Sequence, residues 1–215
     1  MKASQPGFLR WYIKNLKNQY KDAMALHRIK QKNPTVTIED DVMIISPQNL
    51  VLGKHIVIQK GTILNCGGMR WCDYRGKISI GDNCEIGPYC ILYGAGEIEI
   101  GRGCGIAMGS TILSQQGDLS KVFEEGHDLS TSRVPIKYDK VVLEEGAWIA
   151  ARAIIMPGVT IGKGAVIAPG AVVHKDIPSF KMALAPPARI SQAAPPQRDT
   201  DRGPGKILPG TADAP

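Results

Sequence analysis

The chain has 215 residues, enough for one sizeable domain, and 43% of them are hydrophobic although only 6% are aromatic. Its net charge of +6 is concentrated in residues 1–33, so the remainder lacks the basic surface of a nucleic-acid-binding protein. We find no signal peptide and no apolar run long enough to cross a bilayer. The five cysteines are an odd number, which favours free thiols in the cytoplasm.

Residues 7–32 are predicted to form one amphipathic helix, which Pro34 ends. Apolar side chains recur every three or four residues on one side of it, and most lysines lie elsewhere. We interpret residues 1–33 as a cap over the open end of the body. A basic amphipathic helix also suits a peripheral contact with the inner face of a membrane, so both interpretations stay open. The apolar stripe consists of Leu9, Ile13, Leu16, Tyr20 and Met24.

The body, residues 34–190, repeats an aliphatic side chain at every sixth position. Upstream triplets begin at Leu52, Ile80 and Ile100, and the pattern is strictest over residues 143–173. A smaller or branched side chain follows each aliphatic four residues later, with Cys84, Cys90 and Cys104 among them. The strict part consists of Leu143, Ile149, Ile155, Ile161, Ile167 and Val173.

A period of six matches neither an alternating strand nor an amphipathic helix. It predicts short strands joined by corners, three of which close a triangular coil of about 18 residues, with coils stacked about 4.8 Å apart. The aliphatic side chains then point inward, and the smaller ones occupy the corners. The fold class is therefore an all-β parallel β-helix of about five to six coils.

Two segments interrupt the repeat, residues 65–77 and the longer loop 114–140. Long excursions from a rigid scaffold are where binding and catalysis tend to lie. Residues 191–215 are rich in Pro, Ala, Gly and charged side chains without periodicity, so we expect a disordered tail.

The segment 127–190 carries a specific set of motifs. After His127 in the long loop come Pro135 and Ile136, then Gly146 with Trp148, then the runs 155–162, 172–178 and 187–189. This order resembles the closing segment of the maltose-, galactoside- and polysaccharide-modifying O-acetyltransferases of the hexapeptide-repeat family. The resemblance implies that the β-helix is left-handed. Ala150 and Ala168 stand where that family usually has glycine.

The resemblance implies an acetyltransferase that uses acetyl-CoA to modify a hydroxyl of a sugar or glycan, in a cell-surface polysaccharide or nucleotide-sugar pathway. His127 would be the general base, because an imidazole with a pKa near 6.5 can accept a proton at neutral pH. A homotrimer with active sites between its subunits is implied as well. The expected CoA-binding residues are Ala151, Pro169, His174, Lys175 and Arg189.

Trp148 has two interpretations, a packing residue at the subunit contact or a platform for substrate. Three functions compete with O-acetylation: acetylation of a sugar amine, a non-catalytic β-helix scaffold, and zinc chemistry of the kind that β-helix carbonic anhydrases perform. The last needs three converging histidines, whereas His55, His127 and His174 are widely separated in the repeat. Cys66 and Cys72 do not have a zinc-binding spacing, so no metal is predicted.

Overall fold

The computed structural model describes residues 12–13, 24–118, 120, 134–184 and 189–191, and its body is a stack of three-sided coils. The chain visits three parallel sheets in turn, which we name faces A, B and C. Face A comprises Thr37–Ile38, Val57–Ile58, Glu85–Ile86, Gly105–Ile106, Trp148–Ile149, Val166–Ile167 and Met182–Leu184. Face B comprises Met43–Ile45, Ile63–Asn65, Ile91–Tyr93, Thr111–Leu113, Ile154–Ile155 and Val172–Val173. Face C comprises Leu50–Leu52, Ile78–Ile80, Ile98–Ile100, Val141–Leu143 and Thr160–Ile161.

Besides the helical residues near the N-terminus, five other elements complete the described secondary structure. Two short 3₁₀ helices, Pro47–Asn49 and Arg70–Cys72, lie between faces B and C. The strands Gln115–Gly117 and Ile136–Tyr138 form a separate antiparallel pair. The strand Arg189–Ser191 runs antiparallel to Met182–Leu184 and ends face A.

Aliphatic side chains point inward from every face, one from most strands and two from several strands of face C, and these stack in register on their counterparts in the next coil. On face C, for example, Leu143 pairs with Ile100 on one side and Ile161 on the other. The six aliphatic residues predicted between 143 and 173 are all buried, with at most 1% of their surface exposed. The six-residue period therefore predicted both the strands and their inward face.

The corners hold the small side chains that the sequence pattern placed there. In the later coils these are mostly alanines, all fully buried. In the earlier coils Cys84 donates its thiol hydrogen to Gly101 O (3.0 Å) and Cys104 to Glu144 O (3.0 Å). The five cysteines are free and buried, which agrees with the prediction of unpaired thiols.

The described part of the N-terminal segment is helical at residues 12–13 and 24–32, inside the predicted range. Leu26 and Ile29 pack against the hydrophobic core, as a cap would. In the described ranges no helix is long and apolar enough to cross a bilayer. The predicted disordered tail falls, from residue 192 onward, outside the described residues.

Candidate active site

Both interruptions of the repeat leave the prism from one edge. Residues 66–77 connect Ile63–Asn65 of face B to Ile78–Ile80 of face C, and residues 114–140 connect Thr111–Leu113 to Val141–Leu143 in the same way. Between them lies one coil that crosses the same edge through the short segment 94–97. We call this line of crossings the B–C edge. The two loops therefore leave the prism about two coil spacings, or roughly 10 Å, apart.

The base of the longer loop is fixed to the coil beneath it. Ser114 is fully buried, and its Oγ donates to Tyr93 O (2.7 Å) and accepts from the Gly96 amide (2.9 Å). Gln115 Oε1 accepts from the Ala95 amide (3.2 Å). A Cβ on Gly96 would run into the carbonyl oxygen of Ser114. This close approach requires glycine there and holds the start of the loop against the prism.

The returning strand is held by charged side chains at its surface. Lys137 forms an ion pair with Asp139 (2.9 Å), and Lys140 forms one with Glu99 on face C (2.6 Å). Hydrogen bonding to these carboxylates raises the pKa of both lysines above the ordinary value. Only the Lys140–Glu99 pair joins this segment to another coil, and because both lysines are exposed, neither pair adds much stability.

His127 falls in the connection between Gln115–Gly117 and Ile136–Tyr138, and it lies outside the described residues. The structure therefore gives the two ends of its loop, which are an antiparallel pair on the B–C edge. Its assignment as general base stays a prediction.

A cleft of about 1100 Å³ separates the two loops. Its walls differ in character: the shorter loop contributes charged and aromatic side chains, and the returning part of the longer loop contributes mainly apolar ones. Burial raises the pKa of Tyr138, and the nearby Cys72 and Asp73 add to this effect. The lining residues are Met69, Arg70, Asp73, Tyr74, Val134, Pro135, Ile136 and Tyr138.

The backbone of the shorter loop is sharply bent where it lines the cleft. Asp73 and Tyr74 both have left-handed φ angles, of 50° and 58°, which are uncommon for residues other than glycine. The bend leaves Tyr74 with 70% of its surface exposed. Both loops were predictable from the repeat, whereas their shared cleft and the residues that line it were not.

Four of the five residues expected to bind CoA lie on two edges of face B. Ala151 and Pro169 occupy adjacent coils on the edge between faces A and B, where the Gly170 amide donates to Ala151 O (2.9 Å). His174 and Lys175 are exposed at the B–C edge in the last coil. Arg189 begins the antiparallel strand that ends face A. One chain thus does not bring these five residues together.

Trp148 lies on the outside of face A, with 49% of its surface exposed. Its ring covers the position where a side chain on its register partner Gly105 would project. Trp148 is therefore part of an outer surface, separate from the cleft between the loops.

The first outward position of each strand of face B is aliphatic apart from one threonine, and these positions stack as an outer ladder. All of its members except Met43 are half-buried within the single chain. The outer surface of face C instead includes Ser79, Glu99 and Thr160. The ladder of face B consists, in register, of Met43, Ile63, Ile91, Thr111, Ile154 and Val172.

In the described part of the chain, no three metal-ligating side chains lie together. Cys66, at the start of the shorter loop, is fully buried, and burial raises the pKa of its thiol to about 12. A thiol that stays protonated at neutral pH is neither a ready nucleophile nor a metal ligand.

Comparisons with known proteins match this architecture. The profile described as "Bacterial transferase hexapeptide (six repeats)" matches residues 140–175, and "Hexapeptide repeat of succinyl-transferase" matches residues 77–114. WcaF of Escherichia coli strain K12, named as a colanic acid biosynthesis acetyltransferase, is 28% identical over 65% of this chain and 66% of its own length. The galactoside O-acetyltransferase of Lactococcus lactis is 30% identical over 53% of this chain and 61% of its own. The alignments therefore span less than two thirds of these relatives.

Among solved structures, a variant of AntD, an N-acyltransferase from Bacillus cereus, is similar to this chain. Its TM-score is 0.62 and its identity is 25%, with 74% of this chain and 80% of that one covered. That protein was crystallised with dTDP-4-amino-4,6-dideoxyglucose and Coenzyme A. The parallel β-helix described above is thus the left-handed form that the family resemblance implied.

Proposed function

Because the chain belongs to the hexapeptide-repeat acetyltransferase family of left-handed β-helix proteins, we propose that it transfers an acetyl group from acetyl-CoA to a sugar hydroxyl. The observation that carries this proposal is the cleft at the B–C edge, which opens beside the loop that contains His127. Its mixture of apolar, aromatic and charged lining residues suits a polar organic acceptor.

In the proposed reaction, the His127 imidazole removes the proton from the acceptor hydroxyl as its oxygen attacks the thioester carbonyl. A backbone amide stabilises the negative charge that develops on the carbonyl oxygen. The bond between carbon and sulfur then breaks, and the departing thiolate takes the proton from the imidazolium. The acetyl group passes directly to the sugar, and no acyl-enzyme forms.

We propose that CoA binds between subunits of a homotrimer. Ala151 and Pro169 would come from one edge of face B, and His174 and Lys175 from the other. Lys175 and Arg189 would contact the CoA phosphates as charged donors. The aliphatic outer ladder of face B supports this assembly, because burying it against a neighbouring subunit removes apolar surface from water and makes both flanking edges walls of intersubunit grooves.

Acetylation of a sugar amine is the second candidate. It is favoured by the similarity to AntD, an N-acyltransferase crystallised with an amino-sugar nucleotide. The same histidine would serve either acceptor, so the acceptor class is decided by the shape and polarity of the cleft.

A panel of sugars, amino sugars and nucleotide sugars, assayed with acetyl-CoA by release of free thiol, tests the proposed function. We expect His127→Ala to lower kcat by about 10²–10⁴, while CoA affinity stays unchanged. His55→Ala is the matched control, because His55 is exposed on a different edge, and it should keep full activity. Full activity in His127→Ala would refute the role of His127 as base. Failure of the unaltered protein to bind CoA would point to a scaffold.

The trimer is tested by placing a charge on the outer ladder of face B. Ile154→Lys should give a monomer by sedimentation, because a lysine would be buried without a partner at the subunit contact. Val142→Lys, at a half-buried outer position of face C, should leave the assembly unchanged. A trimer in Ile154→Lys would contradict the assignment of face B.

A further inference from the structure

A second cleft, of about 890 Å³, opens between the helical residues 24–32 and the shorter loop. Arg28 and Lys32 lie one helical turn apart and line it from one side, and Arg70 lines it from the other. No carboxylate is found among its described lining residues. Three cations around one cleft, with Ile29 and Met69 as apolar neighbours, make it suited to an anion that is attached to a larger organic group.

The two clefts lie next to each other, because Met69 and Arg70 line both. We call this pair of adjacent clefts the groove, and its two ends differ chemically. The end near the helix is cationic, whereas the end near residues 134–138 presents the exposed Tyr74 ring and the Asp73 carboxylate. Phosphate oxygens accept hydrogen bonds from arginine in a bidentate manner. A carboxylate accepts hydrogen bonds from sugar hydroxyls, and an aromatic ring packs against the apolar side of a sugar.

The groove is distinct from the proposed CoA-binding residues. Arg70 follows the second strand of face B, whereas His174 and Lys175 follow the sixth. Four strand spacings separate these levels, about 19 Å along the prism. The loop that contains His127 leaves the B–C edge between them, after the fourth strand of face B.

We propose that this groove is the acceptor site and that it binds a sugar diphosphate. The diphosphate lies among Arg28, Lys32 and Arg70, and the sugar ring lies at Tyr74 and Asp73, toward the loop that contains His127. This assignment rests on the proposed function and adds the substrate class to it. The diphosphate is shared by nucleotide sugars and by sugars on a polyprenyl diphosphate carrier, and either carrier would extend past the helix.

Calorimetry with uridine diphosphate tests the cationic end without depending on catalysis. The double variant Lys32→Gln with Arg70→Gln should bind uridine diphosphate at least about 10-fold more weakly than the unaltered protein, because charged hydrogen bonds are lost. The matched control is Lys54→Gln with Arg102→Gln, which removes the same two residue types from exposed positions on the edge between faces C and A. This control should keep the original affinity.

Vesicles with and without a polyprenyl diphosphate distinguish the two carriers. Binding to uridine diphosphate alone supports a nucleotide-linked acceptor, and charge-dependent binding to the loaded vesicles alone supports a lipid-linked one. Absence of binding to either probe, or equal affinity of the two double variants, overturns the proposal. An equal loss of CoA affinity in Lys32→Gln with Arg70→Gln overturns it too, because the groove would then hold CoA.

The outcomes separate this proposal from the proposed function. If uridine diphosphate binds through Lys32 and Arg70 but no acceptor yields free thiol, the site stands and the acetyltransferase activity fails. If acetyl transfer occurs with an unchanged acceptor KM in the double variant, the activity stands and the site assignment fails.

Discussion

The two halves of the β-helix differ in the residues that fill their corners and in the loops that leave them. From Val141 to Leu184 the repeat is strict, the corners are mostly alanine, and no long loop leaves the prism within this described range. Before that point, corner residues such as Thr62, Cys90 and Ser110 make hydrogen bonds to carbonyl groups of the next coil. Both long loops leave from this earlier half.

This difference indicates that the later coils serve mainly stability, whereas the earlier coils also anchor the two loops. Alanine corners let the later coils stack without hydrogen bonds from the corner side chains themselves. The earlier coils must also tolerate chain departures, and buried hydroxyl and thiol groups there bind carbonyls directly. We therefore expect substitutions in the later half to change stability, and substitutions at the loop bases to change activity.

The largest expected effect concerns the core of the later half. Leu143 and Leu52 belong to the same inward ladder of face C, but Leu143 is fully buried and Leu52 is half-buried in the first coil. Leu143→Ala should lower the free energy of unfolding by about 2–5 kcal/mol. Leu52→Ala should lower the free energy of unfolding by about half as much, as measured by urea denaturation. Equal losses would show that the two halves are equally well packed.

An intermediate effect is expected at the base of the longer loop. Gly96→Ala places a methyl group against the Ser114 carbonyl, which should cost about 1–3 kcal/mol and lower kcat by displacing the loop. Gly103→Ala is the control. Its φ of 69° disfavours alanine, but its Cβ would meet nothing within 4 Å, so the variant adds strain without a collision. Both variants should lose thermal stability, but only Gly96→Ala should lose activity. Comparable kcat in the two variants would argue against a rigid loop base.

The smallest effect is a dependence on pH from the buried thiol at the shorter loop. The pKa of Cys66 rises from 9.0 to about 12 in the folded protein. The unfolded chain therefore releases this proton first, so stability is full below pH 9 and falls as the pH rises toward 12. At pH 10 the loss should be about 1 kcal/mol. Cys66→Ala should flatten the profile of unfolding free energy between pH 8 and 10, and an unchanged slope would contradict this account.

The sequence predicted most of the scaffold because a stacked coil imposes one local rule at every sixth residue. The six aliphatic residues from Leu143 to Val173 follow this rule without exception, and all six are buried. The first coil departs from the rule, since Ile44 and Leu52 are only half-buried beside the helical residues 24–32. Burial there depends on another element, which periodicity does not report.

The site was predictable only in part. The sequence indicated two loops, and it also held the signal that they share an edge. Counting from Leu64, the sixth repeat unit along the chain is Ile112. Three units make one coil, so Ile112 lies two complete coils after Leu64, on the same face, and the loops that follow the two residues leave from the same edge. The cleft depends on the left-handed bend at Asp73 and Tyr74, and the groove depends on the position of Arg28. Both arise from tertiary packing, which has no period in the sequence.

The reversed strand Arg189–Ser191 affects whether another parallel strand can add to the end of face A. A parallel β-helix ends in exposed strand edges that can template another chain, a recognised route to fibres. At the last level of face A, Met182–Leu184 instead pairs with a strand of opposite direction, so a further parallel turn cannot continue there. The reversed strand therefore stops parallel growth at face A, and residues 24–32 pack beside the first coil at the opposite end.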